Sequence, residues 1–350
     1  MTTSDLIEAK LYEPLSGSRV RCHVCPWRCD IGPGKLGVCR MRHNRDGVLY
    51  SLNYGLVSSI AADPIEKKPL FHFYPATQCF SLGSYGCNFH CIHCQNWSIS
   101  CTEPRGGGPS QLLAPDVAVE LARRHGCAGL SWTYNEPTIW FEYTYDCARL
   151  ARQQGLYTVY VTNGFITTEA LDEIGPYLDA FRVDIKGFSD SLYRDLARVV
   201  RWREVLEAAR RAKTKWDMHV EVVTNVIPTM NDDEEQLRGI AHWVREELGE
   251  LTPWHVTRFH PQYRLTRLPP TPVETLETAG RIGREEGLRF VYVGNVPGHG
   301  SESTHCYSCG QLLIKRYGYD TRVQGLKGSA CSRCGAEAGV RNSTARKAPA

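Results

Sequence analysis

Short apolar runs alternate with amphipathic stretches between residues 76 and about 300 of the chain. The runs are rich in β-branched residues, which is typical of buried strands. They are QCFSLGS (78–84), AGLSWT (128–133), YTVYVT (157–162), AFRVDI (180–185), MHVEVVT (218–224), HVTRFH (255–260) and RFVYVG (289–294). The stretches between them, such as LAPDVAVELARRHG and WREVLEAARRAK, have the apolar period of a helix.

This alternation predicts a parallel sheet, because adjacent parallel strands need a crossover connection between them. Six or seven strand–helix units in about 220 residues predict an α/β fold with a full or partial βα barrel. A doubly wound open sheet is the alternative. In both folds the chemistry belongs at the carboxyl ends of the strands.

Polar residues follow the apolar runs at these predicted strand ends. Taken singly, each is typical of a turn or a helix cap. Their repetition at the same end of successive strands indicates one shared site instead. The residues are Asn135, Glu136, Thr162, Asn163, Asp184, Lys186, Thr224, Asn225 and His260.

The chain outside this alternation differs in composition. Residues 1 to about 75 contain clustered Cys, Gly and Pro, and two C-x-x-C-Gly knuckles follow residue 301. We therefore predict four parts: an N-terminal Cys-rich metal-binding module (1–75), a core barrel (76–300), a zinc-ribbon-like module (301–340) and a disordered tail (341–350).

Charge and hydropathy argue against several functions. The net charge is +3 over 350 residues, which does not call for nucleic acid or an anionic membrane as a partner. No run of 18 apolar residues occurs, so we predict no membrane span. The first residues, MTTSDLIEAKLYEP, carry acids and no apolar segment, so we expect no secretory signal and a cytoplasmic protein.

Fifteen cysteines are many for such a chain, and most of them fall into three groups. An odd number argues against a framework made only of disulfides, and the clustering indicates metal sites. The last group has the spacing C-x2-C-x21-C-x2-C, which predicts a zinc ribbon whose four thiolates close the shell of a structural zinc. Its members are Cys306, Cys309, Cys331 and Cys334.

The first group has the spacing C-x2-C-x3-C-x9-C and consists of Cys22, Cys25, Cys29 and Cys39. Four cysteines suffice for a closed metal site. Zinc and a second iron–sulfur cluster both fit this spacing, and His23 is an alternative ligand. A set of uncoordinated thiols is the remaining interpretation.

The middle group stops at three cysteines. The stretch GCNFHCIHCQNWSIS contains Cys87, Cys91 and Cys94 in the spacing C-x3-C-x2-C. It follows the first predicted strand, so it is a loop at the reactive edge of the sheet. Three thiolates can hold three irons of a [4Fe–4S] cubane and leave the fourth iron open. These cysteines are therefore the candidate catalytic site.

The stretch resembles the cluster-binding loop of radical S-adenosylmethionine (SAM) enzymes. In that family the open iron chelates SAM, one electron enters through the cluster, and a 5′-deoxyadenosyl radical forms that abstracts hydrogen from a substrate. The chain is most similar to the pyruvate formate-lyase activase group, and within it to the radical SAM member of the AmmeMemoRadiSam system. Other matching segments are YNEPT (134–138), VTNGF (161–165), DIK (184–186), VIPTMND (226–232) and RFHPQY (258–263). The two outer cysteine modules also recur in that system's member. The resemblance implies that the barrel is the partial (β/α)6 TIM-like barrel of the radical SAM family.

The resemblance implies SAM-binding roles for individual residues. Glu136 stands where the family has a glutamate that meets the amino group of SAM, and Tyr134 and Asn135 replace the two glycines before it. The segment Thr162 to Gly164 matches the family's Thr-Asn-Gly, with Asn163 at its centre.

The same resemblance covers four further positions. Asp184 and Lys186 match charged groups that face SAM. His260 matches a histidine near the adenosine or ribose, and His93 stands where the family has an aromatic residue beside the adenine.

Together these features predict a radical SAM enzyme that needs a [4Fe–4S] cluster, SAM, a reducing electron donor and zinc. Its substrate is either a partner macromolecule, with the other AmmeMemoRadiSam proteins as candidates, or a small molecule. A zinc-module protein that binds nucleic acid is the rival from another class, and the nearly balanced charge argues against it.

Overall fold

The fold is built on one central sheet of eight strands. The computed structural model of the chain describes residues 6–102 and 111–343. In chain order the strands are β1 (Ser59–Pro64), β2 (Gln78–Gly83), β3 (Gly129–Trp132), β4 (Tyr157–Thr162), β5 (Ala180–Asp184), β6 (His219–Val226), β7 (Trp254–Arg258) and β8 (Val291–Gly294). The seven apolar runs of the sequence correspond to β2 through β8.

The strand order in the sheet follows the chain from β8 at one edge to β1 at the other. β1 pairs with β2 in antiparallel fashion, and every other neighbouring pair is parallel. A doubly wound sheet reverses its strand order at a switch point, and this sheet does not, so that alternative is wrong. Within the described residues β1 and β8 are not paired with each other. The predicted α/β partial barrel is confirmed.

Six helices make the crossovers between the parallel strands within the described part of the chain. They are α1 (Pro115–Arg124), α2 (Phe141–Gln153), α3 (Thr168–Ile174), α4 (Arg203–Thr214), α5 (Glu234–Trp243) and α6 (Val273–Glu285). Local sequence sets their starts: the side chains of Thr167 and Asp233 accept N-cap hydrogen bonds, and Pro115 occupies the first turn of α1. None of the described helices is long and apolar enough to cross a membrane.

The two faces of the central sheet differ in polarity. Leu130 and Trp132 of β3 are fully buried in the same hydrophobic cluster as Ala118 of α1. On the opposite face, Ser81 and Ser131 are buried and lie opposite each other in the register of β2 and β3. The helix-covered face therefore supplies the main core, while the opposite face carries these serines together with a smaller apolar cluster that includes Cys79 and Val159.

The N-terminal module forms two small antiparallel sheets beside the barrel. One contains Ile7–Glu8, Arg42–Arg45 and Val48–Ser51, and the other contains Tyr12–Leu15, Arg19–Cys22 and Asp30–Ile31. A buried ion pair of 2.7 Å between Arg42 and Glu142 fastens this module to α2. One boundary needs correction: β1 lies inside the predicted module of 1–75 but belongs to the central sheet, because it hydrogen-bonds to β2. A short pair, Leu56–Val57 with Gln111–Leu112, lies nearby.

The C-terminal module packs against the last strand of the barrel. Its strands are Thr304–His305, Leu312–Tyr317, Asp320–Val323, Leu326–Lys327 and Ala330–Cys331. Leu313 and Ile314 share a hydrophobic cluster with Tyr292 of β8. Arg341 still contacts the barrel side, since its Nη2 donates to Asp217 at 2.8 Å. Of the predicted disordered tail, residues 344–350 lie outside the described part of the chain.

Gly164, just after β4, offers a test of how tightly the barrel rim is packed. Its φ is 76°, and an added Cβ would lie 2.8 Å from Val183 and 2.9 Å from Val205. Gly164→Ala should lower the free energy of unfolding by about 2–4 kcal/mol, because strain at positive φ adds to overpacking. Urea unfolding followed by circular dichroism measures the change.

Gly155 supplies the matched control. Its φ of 71° is similar, but nothing lies within 4 Å of an added Cβ. Gly155→Ala should therefore cost only the backbone strain, about 1 kcal/mol. Equal losses in the two variants would show that the packing around Gly164 is not tight.

Candidate active site

The three-cysteine loop leaves the carboxyl end of β2 and is held in place by Gly86. This glycine has a φ of 80°, and an added Cβ would lie 2.8 Å from Met41 and 2.9 Å from the carbonyl oxygen of Cys39. Its N–H donates to the carbonyl of Ile99 at 2.9 Å. Only glycine fits this conformation and this contact, so the loop begins in direct contact with the N-terminal module.

The thiols of Cys87, Cys91 and Cys94 lie partly buried in this loop. Burial raises the pKa of Cys91 to about 12 and shifts the pKa values of the other two in the same direction. The Glu136 carboxylate also raises the pKa of Cys87, whereas the Lys186 ammonium lowers that of Cys91. The free thiols are therefore protonated at neutral pH, and a metal must displace their protons to bind.

A histidine without a partner lies next to these thiols. His93 is 8% exposed, and its Nδ1 has no hydrogen-bond partner among the described residues. Burial lowers the pKa of His93 to about 3, and Lys186 lowers it further against the opposing effect of Asp184. Buried polar atoms are rarely left unpaired. The three thiols therefore suit the metal ions of a bound cofactor, and the neutral imidazole suits a polar group of a cofactor that could hydrogen-bond to it.

The carboxylate of Glu136 joins the carboxyl ends of β3 and β4. Its Oε1 accepts hydrogen bonds from the hydroxyl of Thr162 at 2.7 Å and from the N–H of Thr138 at 2.9 Å. Its Oε2 accepts one from the N–H of Asn163 at 2.7 Å. Burial raises the pKa of Glu136, and these donors oppose the shift. Oε2 has a single described donor, so a lone pair is left for a ligand ammonium group.

A chain of amides continues from Asn163 to the cysteine loop. The Nδ2 of Asn163 donates to Oδ1 of Asn88 at 2.8 Å and lies 3.7 Å from Sγ of Cys87. Asn88 in turn donates to the carbonyl of Phe165 at 2.8 Å. The predicted residues Glu136, Thr162 and Asn163 therefore form one buried network that ends at a cysteine of the loop.

Asn135 holds the other side of the loop. Its Oδ1 accepts from the N–H of Ser84 at 2.9 Å, and its Nδ2 donates to the carbonyl of Gly86 at 2.9 Å. The adjacent Tyr134 has a φ of 73° and donates through its hydroxyl to Asp63 at 2.9 Å. Asn135 therefore uses both ends of its amide to position the loop.

Asp184 and Lys186 lie at the end of β5, near enough to His93 to shift its pKa. Asp184 forms an ion pair of 3.0 Å with Arg182. Burial would raise the pKa of Asp184, but Arg182 and Lys186 lower it overall. Burial would lower the pKa of Lys186, but Asp184 and Cys91 raise it overall. Both groups are therefore charged at neutral pH, one anion and one cation beside the same cysteines.

The predicted site residues on or after β6 and β7 have no recorded hydrogen bond, within the described part of the chain, to the network around Glu136. Asn225 donates to the carbonyl of Thr257 at 3.2 Å, and the Thr224 hydroxyl donates to the carbonyl of Ile185 at 2.9 Å. His260 lies two residues after β7 and is exposed. None of the hydrogen bonds recorded among the described residues joins it to the buried network, so its predicted role beside the adenosine remains a prediction.

Sequence reasoning missed three residues that position the site. Asn88 links Asn163 to the loop, Tyr193 accepts a hydrogen bond from the Lys186 N–H at 3.1 Å, and Asn231 donates to the Lys186 carbonyl at 2.7 Å. Asn88 follows a loop cysteine directly, and Asn231 lies in the segment VIPTMND, so both had a local signal. Tyr193 had none, because its contact depends on how the segment after β5 folds back.

The two four-cysteine groups differ in how closely their sulfur atoms lie together. In the C-terminal group the four Sγ atoms all lie within 4.8 Å of one another, a spacing that suits one metal ion. Among the described residues, no other group of metal-binding side chains is equally compact. The N-terminal group instead lines a cavity: its walls include Cys22, Cys25, Cys29 and Cys39.

Comparison with known proteins settles the family. The model for the radical SAM superfamily matches residues 82–241, which span the cysteine loop and the strand ends described above. The pyruvate formate-lyase 1-activating enzyme of Escherichia coli strain K12 is 25% identical over 224 residues, 59% of this chain and 89% of that protein. The uncharacterized protein MJ0808 of Methanocaldococcus jannaschii is 48% identical over 330 residues, 94% of this chain and 97% of that protein. The chain belongs to the radical SAM superfamily.

Among solved structures, a radical SAM methyltransferase from Sphaerobacter thermophilus aligns with a TM-score of 0.49 and 18% identity over 69% of this chain and 71% of that one. The predicted family and its activase-like character are confirmed by the sequence relatives. This radical SAM protein is therefore an enzyme of the activase type. Its family uses a [4Fe–4S] cluster, SAM and a reductant, as the sequence predicted.

The network around Glu136 makes a specific prediction for Thr162. Its hydroxyl donates to Glu136 at 2.7 Å and accepts from the N–H of Gly164 at 2.9 Å. Thr162→Val keeps the shape but removes both bonds, which should lower the free energy of unfolding by about 1–3 kcal/mol. Thr162→Ser keeps the hydroxyl and serves as the control. If the valine variant unfolds at the same urea concentration as the serine variant, the hydroxyl does not carry this network.

Proposed function

We propose that Cys87, Cys91 and Cys94 hold a [4Fe–4S] cluster whose fourth iron binds SAM. When bound, this pair supplies one-electron cleavage of SAM to a 5′-deoxyadenosyl radical, which abstracts hydrogen from a substrate. The observation that supports the proposal is the placement of the loop. Three thiols meet a buried carboxylate network on one side and a charged pair, Asp184 and Lys186, on the other.

The residues around the loop suit the three polar parts of SAM. The ionised Asp184 and the free lone pair of Glu136 suit an ammonium group, and the Lys186 cation suits a carboxylate. The unpartnered Nδ1 of His93 suits a hydrogen bond with an adenine. Asn135 and Asn163 hold the loop and the β4 end rigid, so these groups keep their positions.

We further propose that the substrate is a partner macromolecule. The supporting similarity is to an enzyme whose name describes the activation of pyruvate formate-lyase. The N-terminal and C-terminal modules flank the barrel and offer surface for such a partner. The two cysteine modules also support a place in the AmmeMemoRadiSam subgroup, whose other proteins are then the first partners to test.

The C-terminal group is proposed to bind zinc. Its Sγ atoms approach to 3.5 Å between Cys306 and Cys334 and to 3.7 Å between Cys309 and Cys331. A tetrahedral zinc with bonds of about 2.3 Å places its sulfurs about 3.8 Å apart. The match supports a closed structural ion, which leaves no position for substrate.

Cys91→Ala should abolish SAM cleavage, because the loss of one thiolate leaves too few ligands to hold the cluster. The assay is anaerobic: the full chain is reconstituted with iron and sulfide, reduced with dithionite, and given SAM, and 5′-deoxyadenosine is quantified. Cys127→Ala is the control, since Cys127 is a buried cysteine outside the three groups.

Two outcomes would contradict the proposal. Cleavage retained by Cys91→Ala would remove Cys91 from the ligand set. Wild-type protein with a full cluster that forms no 5′-deoxyadenosine, with or without the partner proteins, would contradict radical SAM catalysis at this site. If 5′-deoxyadenosine forms without a partner protein and carries deuterium from a labelled small molecule, the small-molecule substrate is favoured instead.

Replacing Cys306 and Cys331 by serine in the full chain should remove about one zinc per chain and lower the unfolding temperature, because a structural ion contributes folding energy. Elemental analysis after purification measures the metal. The Cys127→Ala variant should keep its zinc. Iron in place of zinc at this group, or unchanged zinc in the double variant, would contradict the assignment.

A further inference from the structure

We propose that the N-terminal group of Cys22, Cys25, Cys29 and Cys39 is a second iron–sulfur site that binds a [4Fe–4S] cluster rather than zinc. The sequence left both cofactors open for this group. The inference concerns a site outside the proposed SAM-binding loop and does not depend on the proposed function.

The first argument is the contrast between two four-cysteine groups in one chain. One ion bound by four thiolates draws the sulfurs to about 3.8 Å from each other. The C-terminal group has this compactness, with all four Sγ atoms within 4.8 Å. Among the described residues the N-terminal group does not. A cubane does not require such compactness, because each thiolate binds a different iron at a different corner.

The loop cysteines give an internal comparison. Cys87, Cys91 and Cys94 are the ligands proposed for a cubane, and they too fall outside the compact set found among the described residues. In both of these groups the sulfurs are less compact than in the C-terminal group. Spacing along the chain could not show this difference, since all three groups contain short C-x2-C or C-x3-C repeats.

The second argument is the cavity that the four cysteines enclose. Its other walls are Val24, Ile31, Gly37, Arg42 and Ile139. Cys22, Cys25 and Cys39 are each less than 9% exposed. Because all four cysteines line this one cavity, they can bind one shared group. The apolar walls also suit an iron–sulfur cluster, because burial shields it from solvent.

The third argument is an unsatisfied cation on the cavity wall. Arg42 is 2% exposed, and its Nη1 pairs with Glu142 at 2.7 Å. Its Nη2 has no hydrogen-bond partner among the described residues. A [4Fe–4S] core with four thiolates is an anion with sulfide and thiolate acceptors on its surface. Arg42 is therefore placed to donate to the cluster, and Glu142 keeps it oriented.

A backbone N–H donates to the sulfur of Cys29, as is usual for a thiolate that binds a metal. The N–H of Val38 lies 3.5 Å from Sγ of Cys29 and donates to it. Gly37 allows this approach, because an added Cβ would lie 3.2 Å from Ile31 and 3.7 Å from that sulfur. His23 is not part of the cavity: its ring Nδ1 is 2.7 Å from Arg28. The four cysteines are therefore the ligand set, without His23.

The position of the cavity suits a redox group. The carbonyl of Cys39 packs directly on Gly86, the residue before Cys87. Trp27, between two cysteines of the N-terminal group, donates through Nε1 to the carbonyl of Asn88 at 2.7 Å. The proposed second cluster is thus in contact, through two short segments, with the loop that holds the first.

The decisive experiment removes the loop cysteines and leaves the N-terminal group intact. The full chain carrying Cys87→Ala, Cys91→Ala and Cys94→Ala is reconstituted anaerobically, and iron, acid-labile sulfide and zinc are counted per chain. We expect about four irons and four sulfides, with the reduced protein giving the electron paramagnetic resonance signal of a [4Fe–4S]⁺ cluster. Adding Cys25→Ala and Cys39→Ala should remove this iron and sulfide and leave the ribbon metal, which reports that the chain is still folded.

Other counts would overturn the inference. Two zincs per chain without iron, one iron without sulfide, or no metal beyond that of the ribbon would each show that the N-terminal group holds no cubane. The counts are independent of SAM chemistry. A triple variant with a full second cluster would support this inference even if the wild-type enzyme formed no 5′-deoxyadenosine, so the two proposals fail separately.

Discussion

The buried carboxylate of Glu136 is the interaction on which the geometry of the site depends. It accepts hydrogen bonds from Thr138, Thr162 and Asn163, and so fixes the carboxyl end of β3 to that of β4. Through Asn163 and Asn88 the same network reaches Cys87. Because a buried carboxylate is stable only when its acceptors are used, the two strand ends and the cysteine loop are held in one arrangement.

The strands were predictable because a parallel sheet buries both faces, so each strand appears as a continuous apolar run. The cysteine loop was predictable because its spacing is local. The contacts of Glu136 with Thr162 and Asn163 were not, since those two residues lie 26 and 27 positions along the chain and reach Glu136 only after β3 and β4 pair. The place of β1 was missed for the same reason: its pairing with β2 depends on packing at the sheet edge and not on any local pattern.

The three cysteine groups divide the chemistry of the chain between them. The C-terminal group is compact enough to surround one ion. The N-terminal group surrounds a cavity that also contains the unpaired Nη2 of Arg42. The loop motif has three thiols, and Glu136 and Lys186 lie near enough to shift the pKa values of Cys87 and Cys91. Ligand number and sulfur compactness are therefore the grounds on which we propose a structural role, a redox role and a catalytic role for the three groups.

The central claim is that the fourth iron of the loop cluster binds the methionine part of SAM. Electron–nuclear double resonance on the reduced enzyme, with SAM labelled by ¹⁵N at the amino group and ¹⁷O at the carboxylate, tests this contact directly. We predict that both labels show hyperfine coupling to the cluster in the wild-type enzyme. This coupling should be lost in the Cys91→Ala variant. A fully loaded wild-type cluster with bound SAM and no coupling to either label would contradict the account.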